Sequence, residues 1–307
     1  MKNTSFIILF LLAGCTFFQP VGSPENLHVQ VDATATHVPQ LTQTIKALQQ
    51  QLPTVLWVNP SATPSPIPSA TITATPLPSL TATPFFDPAV KIVVPILLYH
   101  HIADRDTPDR YYVSVDDFRA QMQRLHDLDY TPITPGLCID ALLHGGGLPV
   151  RPVVLTFDDG NLDVYQNGFP IMQSLGFIGA EYLIANYLNK QGYLSKAQLQ
   201  EMVLAGWEVG SHGLNHLDLT QNHKLLNQEL LESRHILEDN LGMHIATFAY
   251  PFGNYDPVVM EAVKSSGYSA AMGLGIAVVH PQNTIFYLSR REVHGDFDLA
   301  SFTALLY

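Results

Sequence analysis

The sequence predicts an α/β domain of barrel-like architecture over residues 88–307, and three observations carry that expectation. Short β-branched apolar runs alternate with helical patterns along this stretch. The two clearest runs stop abruptly at His100-His101 and at Asp158-Asp159, as barrel strands do when they deliver side chains to one rim. A Pro/Ser/Thr-rich stretch sets the region apart from everything before it.

The elements follow in order. Met1-Lys2-Asn3, the apolar run Phe6 to Leu12, and Leu12-Ala13-Gly14-Cys15 describe a secretory signal over residues 1–15. The run is too short to span a bilayer core of about 30 Å. Its last four residues resemble a bacterial lipobox, which implies that Cys15 is lipidated and that the protein is exported and held on the outer side of the cell membrane. Residues 16–58 read as a stalk, with Leu41, Ile45, Leu48 and Leu52 at the spacing of one short helix. No charged residue lies between Lys46 and Asp87, and the composition of residues 59–87 predicts a disordered Pro/Ser/Thr-rich linker. At about 3.1 Å per residue, polyproline geometry from Asn59 to Pro84 reaches on the order of 80 Å. Lys2 and Lys46 balance Glu25 and Asp32, so the net charge of −12 belongs entirely to the residues after 84. With 27 acids against 15 bases and no Lys/Arg run, a nucleic-acid partner is excluded. Cys15 and Cys138 are the two cysteines, so no disulfide framework is available.

Within the domain, Lys91–Tyr99 and Pro152–Phe157 read as buried strands. Further strands are expected at 177–184, 207–211, 245–250, 268–272 and 285–293. Ser114 with Asp117 caps a helix whose Phe118, Met122 and Leu125 share one face. Ser195 with Gln198 caps another, and Asp256-Pro257 opens a third that Gly267 closes. The longest helix is expected over 222–241, with Leu226, Leu230, Leu237 and Leu241 inward.

The chemistry gathers where strands stop. Asp158 and Asp159 are adjacent acids followed by Gly160, which permits a sharp turn. A metal ion relieves their repulsion by binding one carboxylate, and the other, left free or raised in pKa, serves as a base. Turn aspartates bonded to backbone amides are the common alternative to that reading. His212 and His216 are four apart, as when zinc takes two ligands from one segment. Among 13 histidines such a pair arises readily by chance, so the spacing alone does not decide. Both motifs end strands of one domain, so Asp159, His212 and His216 can converge as a triad with open coordination positions, the mark of a catalytic metal. Tyr250-Pro251-Phe252-Gly253 and His100 end two more strands and complete the parts for metal-assisted acyl hydrolysis.

These residues resemble the polysaccharide deacetylases with a NodB-homology domain, carbohydrate esterase family four. The resemblance rests on Thr156-Phe157-Asp158-Asp159-Gly160, on Ser211-His212-Gly213-Leu214-Asn215-His216 and on Phe248-Ala249-Tyr250-Pro251-Phe252-Gly253. It implies a distorted (β/α) barrel and hydrolysis of acetamido groups to amine and acetate. Asp158 is then the general base, and Asp159, His212 and His216 hold a divalent metal, zinc first, with cobalt or nickel possible. Phe252, through its backbone N–H, and Tyr250 are then the oxyanion- and substrate-binding residues. Pro95-Ile96-Leu97-Leu98-Tyr99-His100-His101 further resembles the circularly permuted branch acting on poly-N-acetylglucosamine, which makes His100 the general acid and His101 the runner-up. Two departures stand out. Gly213 occupies a position where the family carries a Ser or Thr hydroxyl, and Phe248-Ala249 replaces a motif that often begins with arginine. Arg290 matches an arginine of the permuted branch and is assigned the pairing with the base. The departures also fit a glycan-binding lipoprotein of the same fold with impaired turnover, and peptidoglycan, chitin and xylan are alternative acetylated substrates.

Overall fold

The computed structural model describes residues 91–107 and 109–307. The signal segment with Cys15, the stalk helix and the linker lie outside the described residues. From Lys91 onward the chain forms β1 (Lys91–Val93), β2 (Ile96–Tyr99), β3 (His101–Ile102), β4 (Tyr112–Val113), α1 (Val115–Asp127), β5 (Thr131–Pro132) and α2 (Pro135–Asp140). There follow β6 (Pro152–Asp159), α3 (Phe169–Ser174), β7 (Ala180–Leu183), α4 (Lys196–Leu204), β8 (Glu208–Ser211), α5 (Ser233–Leu241) and β9 (Thr247–Ala249). The last elements are α6 (Pro257–Ser265), β10 (Ala270–Leu274), β11 (Val279–Pro281), β12 (Leu288–Glu292) and α7 (Leu299–Ala304).

Seven parallel strands close on themselves in the order β2-β12-β10-β9-β8-β7-β6, and β6 completes the ring by pairing with β2. Pairing Leu98 with Thr156 and Tyr99 with Phe157 brings the ends carrying His100 and Asp158-Asp159 side by side. Side-chain alternation then sorts the core into two layers. Ile96, Val154, Tyr182, Ala249, Met272 and Leu288 form one buried cluster inside the ring, joined by Ile139 and Leu142, which follow β5 and plug its amino-terminal end. Leu97, Tyr99, Leu155, Phe157, Val209 and Phe248 face the helices in the other.

The helix starts follow from local chemistry. Ser114 Oγ accepts the Asp117 amide, Ser195 and Gln198 form a reciprocal capping box, and Asp256 accepts the Val259 amide ahead of Pro257. Phe118, Met122 and Leu125 are fully buried beneath α1, each contributing roughly 1.5–3 kcal/mol relative to exposure.

Two expectations change. The run Lys91–Tyr99 is two strands, not one. It breaks at Pro95, which has no N–H to give a ladder, so β1 pairs antiparallel with β11 while β2 alone enters the ring. The helix expected from 222 is a 3₁₀ turn at His223–Leu225 and a π turn at Gln228–Glu232 that runs into α5. Leu226, Leu230 and Leu237 are buried as expected, whereas Leu241 is only partly covered beside the left-handed cap at Gly242.

Candidate active site at the carboxyl rim

A cleft of about 410 Å³ opens at the carboxyl ends of the ring strands. It is lined by His100, Asp158, Asp159, His212, His216 and Arg290, with Phe252, Tyr250, His101 and Glu292 around them. Every site residue expected from the sequence and described here therefore faces one space.

The backbone explains how neighbouring acids come to share it. Along β6 the alternation turns Val154, Thr156 and Asp158 inward and would send Asp159 out to the helix layer. A left-handed Asp159 (φ 76°) followed by Gly160 (φ 77°) turns the chain and returns that carboxylate to the rim. A Cβ on Gly160 would lie 2.6 Å from a Leu183 methyl, which together with the left-handed backbone favours glycine there. His216 (φ 59°) and Phe252 (φ 60°) adopt the same sparsely populated region. Such conformations cost energy and persist where the surroundings fix them.

Asp159 Oδ1 stands 3.7 Å from His212 Nε2 and 3.6 Å from His216 Nε2, and one donor atom from each of the three residues lies within 4.8 Å of the others. His212 gives its Nδ1–H to the Ala249 carbonyl at 2.8 Å, which leaves Nε2 as the lone pair aimed at the cleft. Asp159 Oδ1 is buried with no hydrogen-bond partner. A buried carboxylate oxygen without a donor, facing two imidazole lone pairs, suits a divalent cation. Burial lowers the His212 pKa, against the pull of Asp158 and Asp159, and so favours the neutral ring that a metal requires.

Asp158 is neither free nor raised in pKa, contrary to the expectation from the acid pair. Burial pushes its carboxyl up, but the Arg290 guanidinium, with His212 and His100, outweighs that and holds it at about 2. Arg290 donates Nη1–H to Oδ1 at 2.6 Å and Nη2–H to Oδ2 at 2.7 Å, from a side chain that is itself buried. It thus fills the pairing that Phe248-Ala249 cannot supply.

The two candidate acids differ sharply. His101 Nδ1 is bonded to Asp163 at 2.7 Å and its ring stacks on Tyr112 at 3.9 Å. His100 leaves its buried Nδ1 without a partner, 3.9 Å from Glu292 Oε1, and meets the edge of Tyr111. Burial lowers the His100 pKa, while Asp158, Asp159 and Glu292 oppose it. At the other wall, Phe252 is exposed with its ring 4.4 Å from His216. The following amides of Gly253 and Asn254 are used within the turn, on Tyr250 and Pro251. The Tyr250 hydroxyl donates to the Phe286 carbonyl at 2.8 Å, so this residue brings a ring face and no hydrogen-bonding group to the cleft.

Sequence reasoning missed Glu292 and its partner Arg110, which reaches it from the segment before β4. The signal was present for Glu292, because residues two apart on a strand share a face and Arg290 was already placed inward.

Comparison with known proteins fits this geometry. A family model described as polysaccharide deacetylase matches residues 145–271, from ahead of β6 to the start of β10. Over 203 residues the chain is 26% identical to the poly-β-1,6-N-acetyl-D-glucosamine N-deacetylase of Staphylococcus epidermidis, covering 61% of this chain and 69% of that one. IcaB from Ammonifex degensii superposes with a TM-score of 0.62 at 26% identity, over 69% of this chain and 96% of that one. BC0361, a polysaccharide deacetylase from Bacillus cereus, does so with a TM-score of 0.63 at 28% identity, over 71% and 70%. Motifs, ring topology and relatives agree in their likeness to polysaccharide deacetylases, and residues 145–271 carry the match to that family's model.

Proposed function

We propose that this protein is a metal-dependent N-deacetylase that removes acetyl groups from an N-acetylglucosamine polymer of the cell surface, releasing acetate and leaving free amines. The observation that carries the reading is the convergence of Asp159, His212 and His216 beside the Asp158–Arg290 pair in one cleft. A carboxylate with two imidazoles is a set that zinc takes readily, and cobalt or nickel accept it too. The polymer is suggested by the names of the staphylococcal relatives.

A divalent cation held by these three residues would polarise the acyl oxygen and make water acidic enough to attack near neutral pH. Asp158, kept ionised by Arg290, takes the proton from the attacking water. The backbone N–H of Phe252 donates to the acyl oxygen as negative charge develops on it. His100 gives its proton to the departing amine. Glu292 favours the charged imidazole for that step, against burial, which disfavours it. The exposed Phe252 and Tyr111 offer ring faces at the rim for a sugar.

A catalytically silent glycan binder was motivated partly by the missing motif arginine, and Arg290 removes that motive. Acetate release from a β-1,6-linked N-acetylglucosamine oligomer tests the reading. The wild-type protein is expected to release acetate and Asp158→Asn is not. Saccharide binding by metal-loaded wild-type protein without acetate release would overturn it. Export and anchoring through Cys15 belong to the same proposal, and Cys15→Ser is expected to move the protein from the membrane fraction to the soluble one.

A further inference from the structure

The backbone between the two metal-site imidazoles is irregular. Gly213 (φ 84°) and His216 (φ 59°) are both left-handed, so the amides between them leave the strand ladder and need partners elsewhere. The Gly213 amide donates to Ser211 Oγ at 3.2 Å. The next two donate to one oxygen of one buried side chain: Leu214 N and Asn215 N each lie 2.9 Å from Glu229 Oε2. Glu229 Oε1 accepts a third bond, at 2.7 Å, from Asn215 Nδ2. On the opposite side the carbonyls of Gly213 and Leu214 accept the Ala185 and Asn186 amides at 3.0 and 3.1 Å.

Glu229 is 1% exposed and sits in the π turn ahead of α5. Among the described residues no Lys, Arg or His lies within ion-pair distance of it. Its hydrogen-bond partners all belong to the loop between His212 and His216. Burying a carboxylate is costly, and an apolar residue at an inward helix position would ordinarily serve packing better. The room for it comes from Gly213, where a Cβ would approach Glu229 Oε2 to 3.3 Å.

We infer that Glu229 is a positioning residue for the metal site, holding the His212–His216 loop so that both Nε2 atoms face Asp159 before a cation arrives. The inference rests on the metal-dependent reading above. Loss of such an outer support typically weakens metal affinity by about 10–100-fold. Gln keeps the shape of Glu229 but presents an N–H toward the Asn215 amide in place of an acceptor.

The test uses the full-length protein. The zinc dissociation constant is measured by competition with a chromogenic chelator, and the melting temperature is measured on metal-stripped protein. Glu229→Gln is expected to raise the zinc dissociation constant about 10–100-fold. Leu237→Ala, which weakens the same helical segment without removing any hydrogen bond to the loop, is expected to lower the melting temperature and leave zinc affinity within about threefold of wild type, a small effect beside those of direct supports. Wild-type affinity in a folded Glu229→Gln overturns the inference, and so does equal loss in Leu237→Ala, which would reduce Glu229 to general stability. If Glu229→Gln does not fold, Asn215→Ala, which deletes one of the three bonds, decides in the same way, with a several-fold loss expected. A wild-type protein that binds no zinc overturns the functional reading together with this one, whereas intact wild-type binding with an unaffected variant overturns this one alone.

Discussion

Arg290 and Asp158, 132 residues apart, form a buried bidentate pair with both N–H···O contacts at 2.6–2.7 Å. The pair fixes the orientation of the Asp158 carboxylate, the proposed base, and keeps it ionised. Burial alone would raise the Asp158 pKa, and Arg290 reverses the sign. Replacing Arg290 with Lys loosens the fork, and Arg290→Ala leaves the carboxyl buried with its principal counter-charge gone. The acid limb of the kcat/KM profile is then expected to move to higher pH by about 1–3 units. An unmoved limb, measured on a soluble N-acetylglucosamine oligomer, would separate Arg290 from the base. In the native protein the sign for stability is opposite to that of a raised acid. The pair's contribution is complete above the ordinary value of 3.8 and is lost as pH falls through about 2.

Metal removal has a similarly definite outcome. Chelation is expected to abolish acetate release, and zinc or cobalt to restore it. His212 and His216 separate affinity from stability. The His212 ring is 2% exposed and bonded to Ala249, whereas His216 is a quarter exposed. Both alanine variants are expected to lose metal. Only His212→Ala is also expected to lose about 1–3 kcal/mol of stability in denaturant unfolding, because a buried carbonyl is left unpaired. Activity indifferent to chelators would remove the cation from the scheme.

His100→Ala is expected to lower kcat by about 10²–10⁴-fold, as removal of a general acid does. His101→Gln, whose ring is committed to Asp163 and Tyr112, is expected to affect stability more than rate. Glu292→Gln separates the role of charge from that of shape. Glu292 is one of three carboxylates that raise the His100 pKa against burial, so losing its charge lowers that pKa and moves the basic limb of the profile to lower pH. A basic limb that stays in place would dissociate Glu292 from the acid.

Much of this site was legible before any coordinates, for identifiable reasons. Continuous β-branched apolar runs and caps are local, so the strands ending in Asp158 and His100 and the starts at Ser114, Ser195 and Asp256 could be read from neighbouring residues. The ends of parallel strands collect on one rim, which let distant motifs be placed together without knowing the register. What stayed hidden depends on register or on single backbone angles. The left-handed turn at Asp159 lies in no pattern of residue types, whereas the break that divides the first strand did carry a signal in Pro95, which has no N–H for a ladder. Glu229 had a faint signal: it is three residues beyond Leu226 and one before Leu230, on the inward stripe of its helix, where a carboxylate invites a question about its partners. The hydroxyl of Tyr250 could not be placed from sequence, because its partner is a carbonyl 36 residues away.

Glu181 provides a test of the fold that leaves the chemistry untouched. It is fully buried on β7, level with Phe157 and Val209, and neither carboxyl oxygen has a partner. Burial raises its pKa well above 4.5, and the charges of Asp158, Asp163 and Asp159 add to the effect. Between 4.5 and that raised value the unfolded chain gives up the proton while the folded protein keeps it, so this residue makes stability fall as pH rises. Glu181→Met fills a similar volume, carries no proton and needs no hydrogen bond. It is expected to gain about 1–3 kcal/mol near pH 7.5, the cost of an unsatisfied buried polar group. For a domain of this size that is a rise of about 2–4 °C in Tm per kcal/mol. At pH 4.5 the gain should shrink, because there the unfolded chain is itself half protonated. Thermal unfolding of both proteins at the two pH values decides the matter: an equal gain at both would show that Glu181 is no proton-linked element of this barrel, and a loss at pH 7.5 would show that it has a partner.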